Sequence, residues 1–167
     1  PPAPASPPKP VPTTTPPPDP GPGTPHPTAG PSDDRPSSDR CSASALAGSV
    51  QGTDGAAGTI WYTIRLRNTS TRTCTVKGVP EVRLLDAQGQ PVTAPSVPDR
   101  RPGGSLVVLR PQQAARFVFA EPNACEDTVA GSRLSVRLPS GQGAVVVPLG
   151  AETRFGTCRR LTVQALQ

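Results

Sequence analysis

An all-β fold is what this sequence predicts, and three observations carry the expectation. Composition breaks at Arg40/Cys41: residues 1–39 hold 16 of the 25 prolines, no cysteine and no aromatic residue, whereas residues 41–167 hold all four cysteines, the only Trp and Tyr, and all three Phe. The second part carries at least seven short strand-like segments in about 125 residues, punctuated by Gly- and Pro-containing turns. No segment sustains a 3.6-residue period. Many short strands with frequent turns point to an antiparallel β-sandwich of immunoglobulin-like type, preceded by a disordered Pro-rich stalk.

The stalk comes first, over residues 1–39. Up to residue 36 it alternates Pro with Ala, Thr, Ser and Gly, which cannot bury enough apolar surface to offset the entropy of ordering. Extended polyproline II at ~3.1 Å per residue makes it a semi-rigid spacer of up to roughly 100 Å. Use as a ligand for proline-binding modules would require cytoplasmic partners, so the spacer reading is preferred. His26, the only histidine, lies here.

The domain spans residues 40–167. Its clearest strand is Ile60–Asn68, where Ile60, Tyr62, Ile64 and Leu66 share one face and Trp61, Thr63, Arg65 and Arg67 the other. Glu81–Asp86 follows, ended by the turn Ala87-Gln88-Gly89-Gln90, and then Leu106–Leu109 and Ala114–Ala120. The last three are Arg133–Leu138, Ala144–Leu149 and Leu161–Leu166. Phe117 and Phe119 share a face, as do Leu134, Val136 and Leu138. Turns are expected at Gly52–Gly58, Pro98–Gly104 and Pro139–Gly143. Aromatic residues make up only 3% of the chain, so Val, Leu, Ile and Ala must fill most of the core.

Charge is unevenly spread. The stalk carries two basic and four acidic residues, while the domain carries 15 basic residues, 14 of them Arg, against 8 acidic ones, a net of +7. An Arg-rich, Ala-, Gly- and Pro-rich composition also follows from G+C-rich codon usage. The functional reading of the same numbers is a cationic module drawn to anionic surfaces such as wall polymers. The chain has no Met, so Pro1 is not read as a translation start. No apolar run approaches the ~18–20 residues of a membrane span, so any signal or anchor is expected upstream of Pro1.

Cys41, Cys74, Cys125 and Cys158 contain no CxxC pair, and the domain has no histidine, which disfavours zinc and redox-motif readings. Structural disulfides are expected. Cys41–Cys74 with Cys125–Cys158 is the preferred pairing, each joining strands near one another in sequence; Cys41–Cys158 with Cys74–Cys125 stays open as the rival.

The stretch Asn68-Thr69-Ser70-Thr71-Arg72-Thr73-Cys74-Thr75-Val76-Lys77-Gly78-Val79-Pro80 runs into Val82-Arg83-Leu84-Leu85-Asp86 and Gly89-Gln90-Pro91-Val92. With the Gly55-Ala56-Ala57-Gly58 turn, the opening Cys41 and the late pair Cys125 and Cys158, this resembles domain of unknown function 4232, a secreted and lipoprotein-borne family of actinobacteria. The resemblance covers about Cys41 to Gln167. Two departures are Val79, where an aromatic residue is frequent, and Gln112-Gln113, where a Gly-Gly-type turn is usual. The resemblance implies a secreted, disulfide-bearing β-sandwich behind a low-complexity linker. It supplies no activity, cofactor or catalytic residues.

Catalysis is not expected. Without a domain histidine or a free thiol, Ser–His and Cys–His arrangements are unavailable. The carboxylates Asp54, Glu81, Asp86, Asp99, Glu121, Glu126, Asp127 and Glu152 fall mostly at turns and strand ends, and Glu126-Asp127 alone makes no calcium loop. No cofactor or metal is expected. The arginines are the better candidates: Arg65 and Arg67 on one strand's outer face, Arg133 and Arg137 on another, and Arg100-Arg101 in the Pro98–Gly104 loop. The plain reading is a solvated face that discourages edge pairing. The sharper one is a patch of Arg100, Arg101, Arg65 and Arg67, with Trp61 as an aromatic platform, for an anionic glycan or a protein. Asn68-Thr69-Ser70 fits a glycosylation acceptor by pattern but reads better as a hairpin turn.

The expectation is therefore a non-catalytic binding module, extracellular or displayed on the cell envelope. Its partner is an anionic wall polymer or an envelope protein, with no nucleic acid, and with membrane contact only through an anchor outside this sequence. The alternative is an accessory or sensor ectodomain with no ligand of its own.

Overall fold

The computed structural model describes residues 40–101, 103–122, 124–139, 143–157 and 160–167, without the side chains of Ala151 and Glu152. The chain divides into two units, Pro1–Asp34 and Arg35–Gln167. The stalk expected over residues 1–39 lies outside the described residues. Among these, one 3-10 turn, Ala43–Ala45, precedes ten strands: β1 (Leu46–Ala56), β2 (Thr59–Asn68), β3 (Cys74–Val76), β4 (Glu81–Leu85) and β5 (Val97–Pro98), then β6 (Val107–Leu109), β7 (Ala114–Pro122), β8 (Thr128–Arg137), β9 (Val145–Gly156) and β10 (Thr162–Val163).

The fold is all-β. One sheet runs in the order β1-β2-β7-β10-β5, a second β4-β8-β9, and β3 pairs with β6. Strand pairing is antiparallel apart from β10 with β5, where Thr162 faces Val97 and Val163 faces Pro98. The period-two pattern of β2 buries Tyr62, Ile64 and Leu66, and that of β7 buries Ala115, Phe117 and Phe119. Across the core they meet Leu84, Leu134, Val136, Val147 and Phe155 from the β4-β8-β9 sheet. The core is lean as expected, with aliphatic side chains around the three phenylalanines, all fully buried.

Close approach of the two sheets requires a glycine at one point. A Cβ on Gly48 of β1 would sit 2.3 Å from Val147 Cγ2 of β9, far inside van der Waals contact. The free edge of β4 is covered by chain 91–96: Thr93 Oγ1 accepts from the Leu84 amide at 3.0 Å and Ser96 Oγ from the Val82 amide at 2.8 Å. An exposed edge would invite another strand, and these hydroxyls occupy it.

The expected Gly52–Gly58 turn is corrected. Residues 52–56 continue β1, and the hairpin closes at Ala57-Gly58, with φ of 48° and 79°, in the two-residue loop whose twist suits antiparallel strands. β1 carries a bulge between Val50 and Gly52, and most of its residues are exposed, so it shows no apolar alternation. The Leu161–Leu166 segment is regular strand only at Thr162–Val163. Beyond it, backbone bonds tie Gln164 to Val118, Leu166 to Gly78 and Gln167 to Arg116. Part of the Pro139–Gly143 turn lies outside the described residues.

Asn68 is fully buried at the end of β2. Its amide donates to the carbonyls of Arg72 (2.7 Å) and Leu109 (2.9 Å), and its Oδ1 accepts from the Ser70 amide and hydroxyl. These bonds make it the organiser of the following turn. Of the open disulfide pairings, Cys41–Cys74 is present, with Cα atoms 4.9 Å apart, which removes the rival. Cys125 is also disulfide-bonded, and its expected partner, Cys158, lies outside the described residues.

Candidate functional site

The outer face of the five-stranded sheet gathers Arg65, Arg67 and Arg116. On β2 the residues between the buried ones, Trp61, Thr63, Arg65 and Arg67, point away from the core; on β7 Ala114, Arg116, Val118 and Ala120 do the same. The register places Arg65 directly opposite Arg116 and Arg67 opposite Ala114. Directly opposed side chains lie ~4.5–5.5 Å apart at Cβ, and like charges there are destabilising. Neither Arg65 nor Arg116 is ion-paired among the described residues. On the other sheet the same residue type is treated differently: Arg137 faces Glu81 across the β4–β8 pair.

A third arginine is held in position beside this pair. Arg67 Nη1 donates to Gln112 Oε1 at 2.8 Å. Gln112 belongs to the β6–β7 turn and has φ of 67°, a left-handed conformation that glycine adopts at least cost. Its amide donates to the Asn68 carbonyl, and the Asn68 amide donates to the Gln113 carbonyl, both at 2.8 Å, so turn and strand end move as one. A glycine at 112 would relieve the backbone but leave Arg67 without its acceptor. Arg65, Arg116, Gln112, Gln113 and Gln167 line a depression of about 580 Å³, floored in part by Val107 and Val108.

The other expected residues are spread over the same sheet. Trp61 shares the outer face but lies four residues from Arg65, ~13 Å along the strand, and faces Ala120 on one side and Asp54 on the other. Arg100 and Arg101 follow β5, three strand spacings (~14 Å) from β2. Arg101 Nε contacts Asp99 Oδ2 at 3.2 Å. The structure thus brings Arg65 and Arg67 together with Arg116, Gln112 and Gln113, which sequence reasoning missed. The sharing of a face by Phe117 and Phe119 already put Arg116 on the opposite side. Nothing local announced that it would meet Arg65.

One carboxyl stands apart. Glu121 is 1% exposed at the end of β7, and its Oε1 accepts from the Tyr62 hydroxyl at 3.0 Å. Tyr62 stacks on Phe119, with centroids 4.6 Å apart and planes 6° from parallel, and meets Phe155 at 5.6 Å. Glu121 Oε2 has no hydrogen-bond partner among the described residues. Burial pushes the Glu121 carboxyl above its ordinary range, against the opposing pull of the Tyr62 hydroxyl and the Gly156 amide. Burial, then the Glu121 charge and hydrogen bond, raise the Tyr62 phenol. Enclosed on the inward face, this pair suits a core polar contact. Among the described residues no group of three or more His, Cys, Asp or Glu side chains could hold a metal ion, and no helix is long and apolar enough to cross a membrane.

A family model described as Domain of unknown function (DUF4232) matches residues 41–167. No curated protein and no solved structure matches the chain.

Proposed function

Starting from a chain that belongs to the DUF4232 family over residues 41–167, we propose that this domain is a non-catalytic binding module. It recognises an anionic polymer of the cell envelope with the outer face of its five-stranded sheet. The observation that carries this reading is the unpaired Arg65–Arg116 juxtaposition, which costs stability and so calls for a compensating anion. Guanidinium groups suit the role because their planar forks donate bidentately to oxyanions. Arg67, oriented by Gln112, extends the array along β2. Arg100 and Arg101 stand at the far edge of the same sheet, and Trp61 offers an apolar surface near its other end.

Extracellular or envelope location fits the same picture. Disulfides persist in oxidising compartments, and Cys41–Cys74 joins the start of the domain to β3. The Pro-rich segment would then hold the module away from its anchor.

Retention of the oxidised chain on isolated bacterial cell wall, across a salt series, tests the reading. Salt-sensitive retention that is lost on Arg65→Ala/Arg116→Ala supports it. Absence of retention, or retention unchanged by the double substitution, overturns it and leaves an accessory or sensor ectodomain as the better description.

A further inference from the structure

The depression beside Arg65 and Arg116 does not end at the sheet's middle. Val107 and Gln167 line it, and the same two residues line a second depression of about 480 Å³ that reaches Arg101 past Gln164 and Ser105. The two hollows therefore adjoin along residues 164–167, which backbone bonds seat on β7: Gln167 and Arg116 exchange backbone bonds of 2.9 and 2.8 Å, and Gln164 donates to Val118 at 2.8 Å. Leu166, fully buried, pins this segment from below. Among the described residues no Asp or Glu lines either hollow, and four glutamines, Gln112, Gln113, Gln164 and Gln167, lie between or beside the arginines.

The geometry points to a linear phosphate polymer as the ligand, lying along this continuous groove from the Arg65–Arg116 pair to Arg101. This inference rests on the anionic-polymer reading and narrows it. Two features favour a phosphate chain. A single carboxylate has two oxygens and one charge, which one guanidinium satisfies in a bidentate pair; two guanidinium groups facing each other call for closely repeated oxyanions. A groove with cations at both ends and amide donors between them also matches a chain with charge at every unit and oxygens throughout. Arg101 differs from the central pair in having a carboxylate neighbour, Asp99, at 3.2 Å. It therefore contributes as a second, weaker station that only a long ligand reaches.

The test measures affinity of the full oxidised chain for pyrophosphate, short and long inorganic polyphosphate, and poly-glutamate of matched charge, by calorimetry across a salt series. Affinity is expected to rise with polyphosphate length and to exceed that for poly-glutamate by about tenfold, a difference of ~1.4 kcal/mol. Arg101→Ala should remove the gain with length and lower the salt slope for long polyphosphate by about one. Arg65→Ala/Arg116→Ala should abolish binding of every phosphate probe. Equal affinity for poly-glutamate, or a length gain that survives Arg101→Ala, would overturn the phosphate track while leaving the anion-binding face intact. Failure of all anionic probes to bind would overturn both. Thermal unfolding of each variant, compared with the parent chain, separates lost binding from lost fold.

Discussion

Tyr62 donates its hydroxyl proton to Glu121 Oε1 over 3.0 Å from a position diagonal to it on the neighbouring strand. This buried side-chain to side-chain hydrogen bond closes the end of the core where Phe119 and Phe155 pack on the phenol ring. The arrangement leaves one acceptor without a donor, since Glu121 Oε2 has no partner among the described residues. A buried carboxylate in that state is costly, which holds the carboxyl above its ordinary range.

The folded protein is therefore expected to lose stability as pH rises from about 4.5, the carboxyl's ordinary value, through its raised folded value. In that window the unfolded chain has released the proton and the native one still holds it, so the derivative of unfolding free energy with pH is negative. Below the window the contribution is fully present. Glu121→Gln, which keeps the shape and cannot ionise, should flatten this part of the profile. Urea midpoints from pH 4 to 8 for both chains read it out, and identical slopes would show that Glu121 does not govern this region.

Tyr62→Phe should act in the opposite sense to a benign deletion. The ring packing survives, but Glu121 loses its only side-chain donor and the full desolvation penalty appears, about 1–3 kcal/mol. In the Glu121→Gln background the same substitution should cost less, because no ionisable group is then stranded. Equilibrium unfolding of the four chains gives the coupling directly.

The Cys41–Cys74 bond closes a loop of sequence separation 33. By the chain-entropy model it stabilises by about 3–4 kcal/mol. It acts where the domain begins, next to the Cys41 amide bond to the Thr75 carbonyl at 3.0 Å. Cys41→Ser/Cys74→Ser, with the Cys125 disulfide left oxidised, should lower the unfolding free energy extrapolated from urea titration by that amount while preserving the strand signature in far-ultraviolet circular dichroism. A loss well under 1 kcal/mol would mean that hydrogen bonding to β3 alone holds the start of the domain.

A Cβ at Gly131 would fall 2.3 to 2.7 Å from three side-chain atoms of Leu84, itself fully buried. Gly131 also sits at the register shift of β8 against β9. Gly131→Ala is expected to cost about 1–3 kcal/mol as overpacking. Leu84→Ala alone should cost about 2–5 kcal/mol. Together they should cost clearly less than the sum, since the cavity accepts the methyl group; strict additivity in a double-mutant cycle would show that the contact is relieved by backbone movement instead.

Much of this fold was legible because the buried faces of β2, β4 and β8 alternate largely with polar or charged residues, and because Phe117 and Phe119 share one face of β7. Ile60–Asn68 and Glu81–Asp86 come within a residue of the observed strands. β1 escaped because its residues Gly48, Ser49, Gly52 and Gly55 carry no apolar signal; the strand is held by backbone pairing to β2. β3 escaped for the opposite reason: Cys74, Thr75 and Val76 are all buried and show no alternation. For the candidate site, the outward direction of Arg65 and Arg67 followed from period two. Arg116 opposite Arg65 did not, because register between strands some fifty residues apart is set by the assembled core.

The Arg65–Arg116 pair yields the sharpest separation of stability from binding. Arg116→Glu replaces a repulsive cross-strand pair with an attractive one and should raise stability by about 0.2–1 kcal/mol at low salt, with the gain shrinking as salt screens it. The same change should abolish retention on anionic polymer. Arg137→Glu supplies the matched control: it alters net charge equally but sets a carboxylate opposite Glu81, so it should destabilise by a similar amount and leave polymer retention in place. A purely structural surface would show the two stability effects with no difference in binding. Residues retained at a cost in stability for the sake of a ligand should show stability and retention moving in opposite directions at position 116 alone.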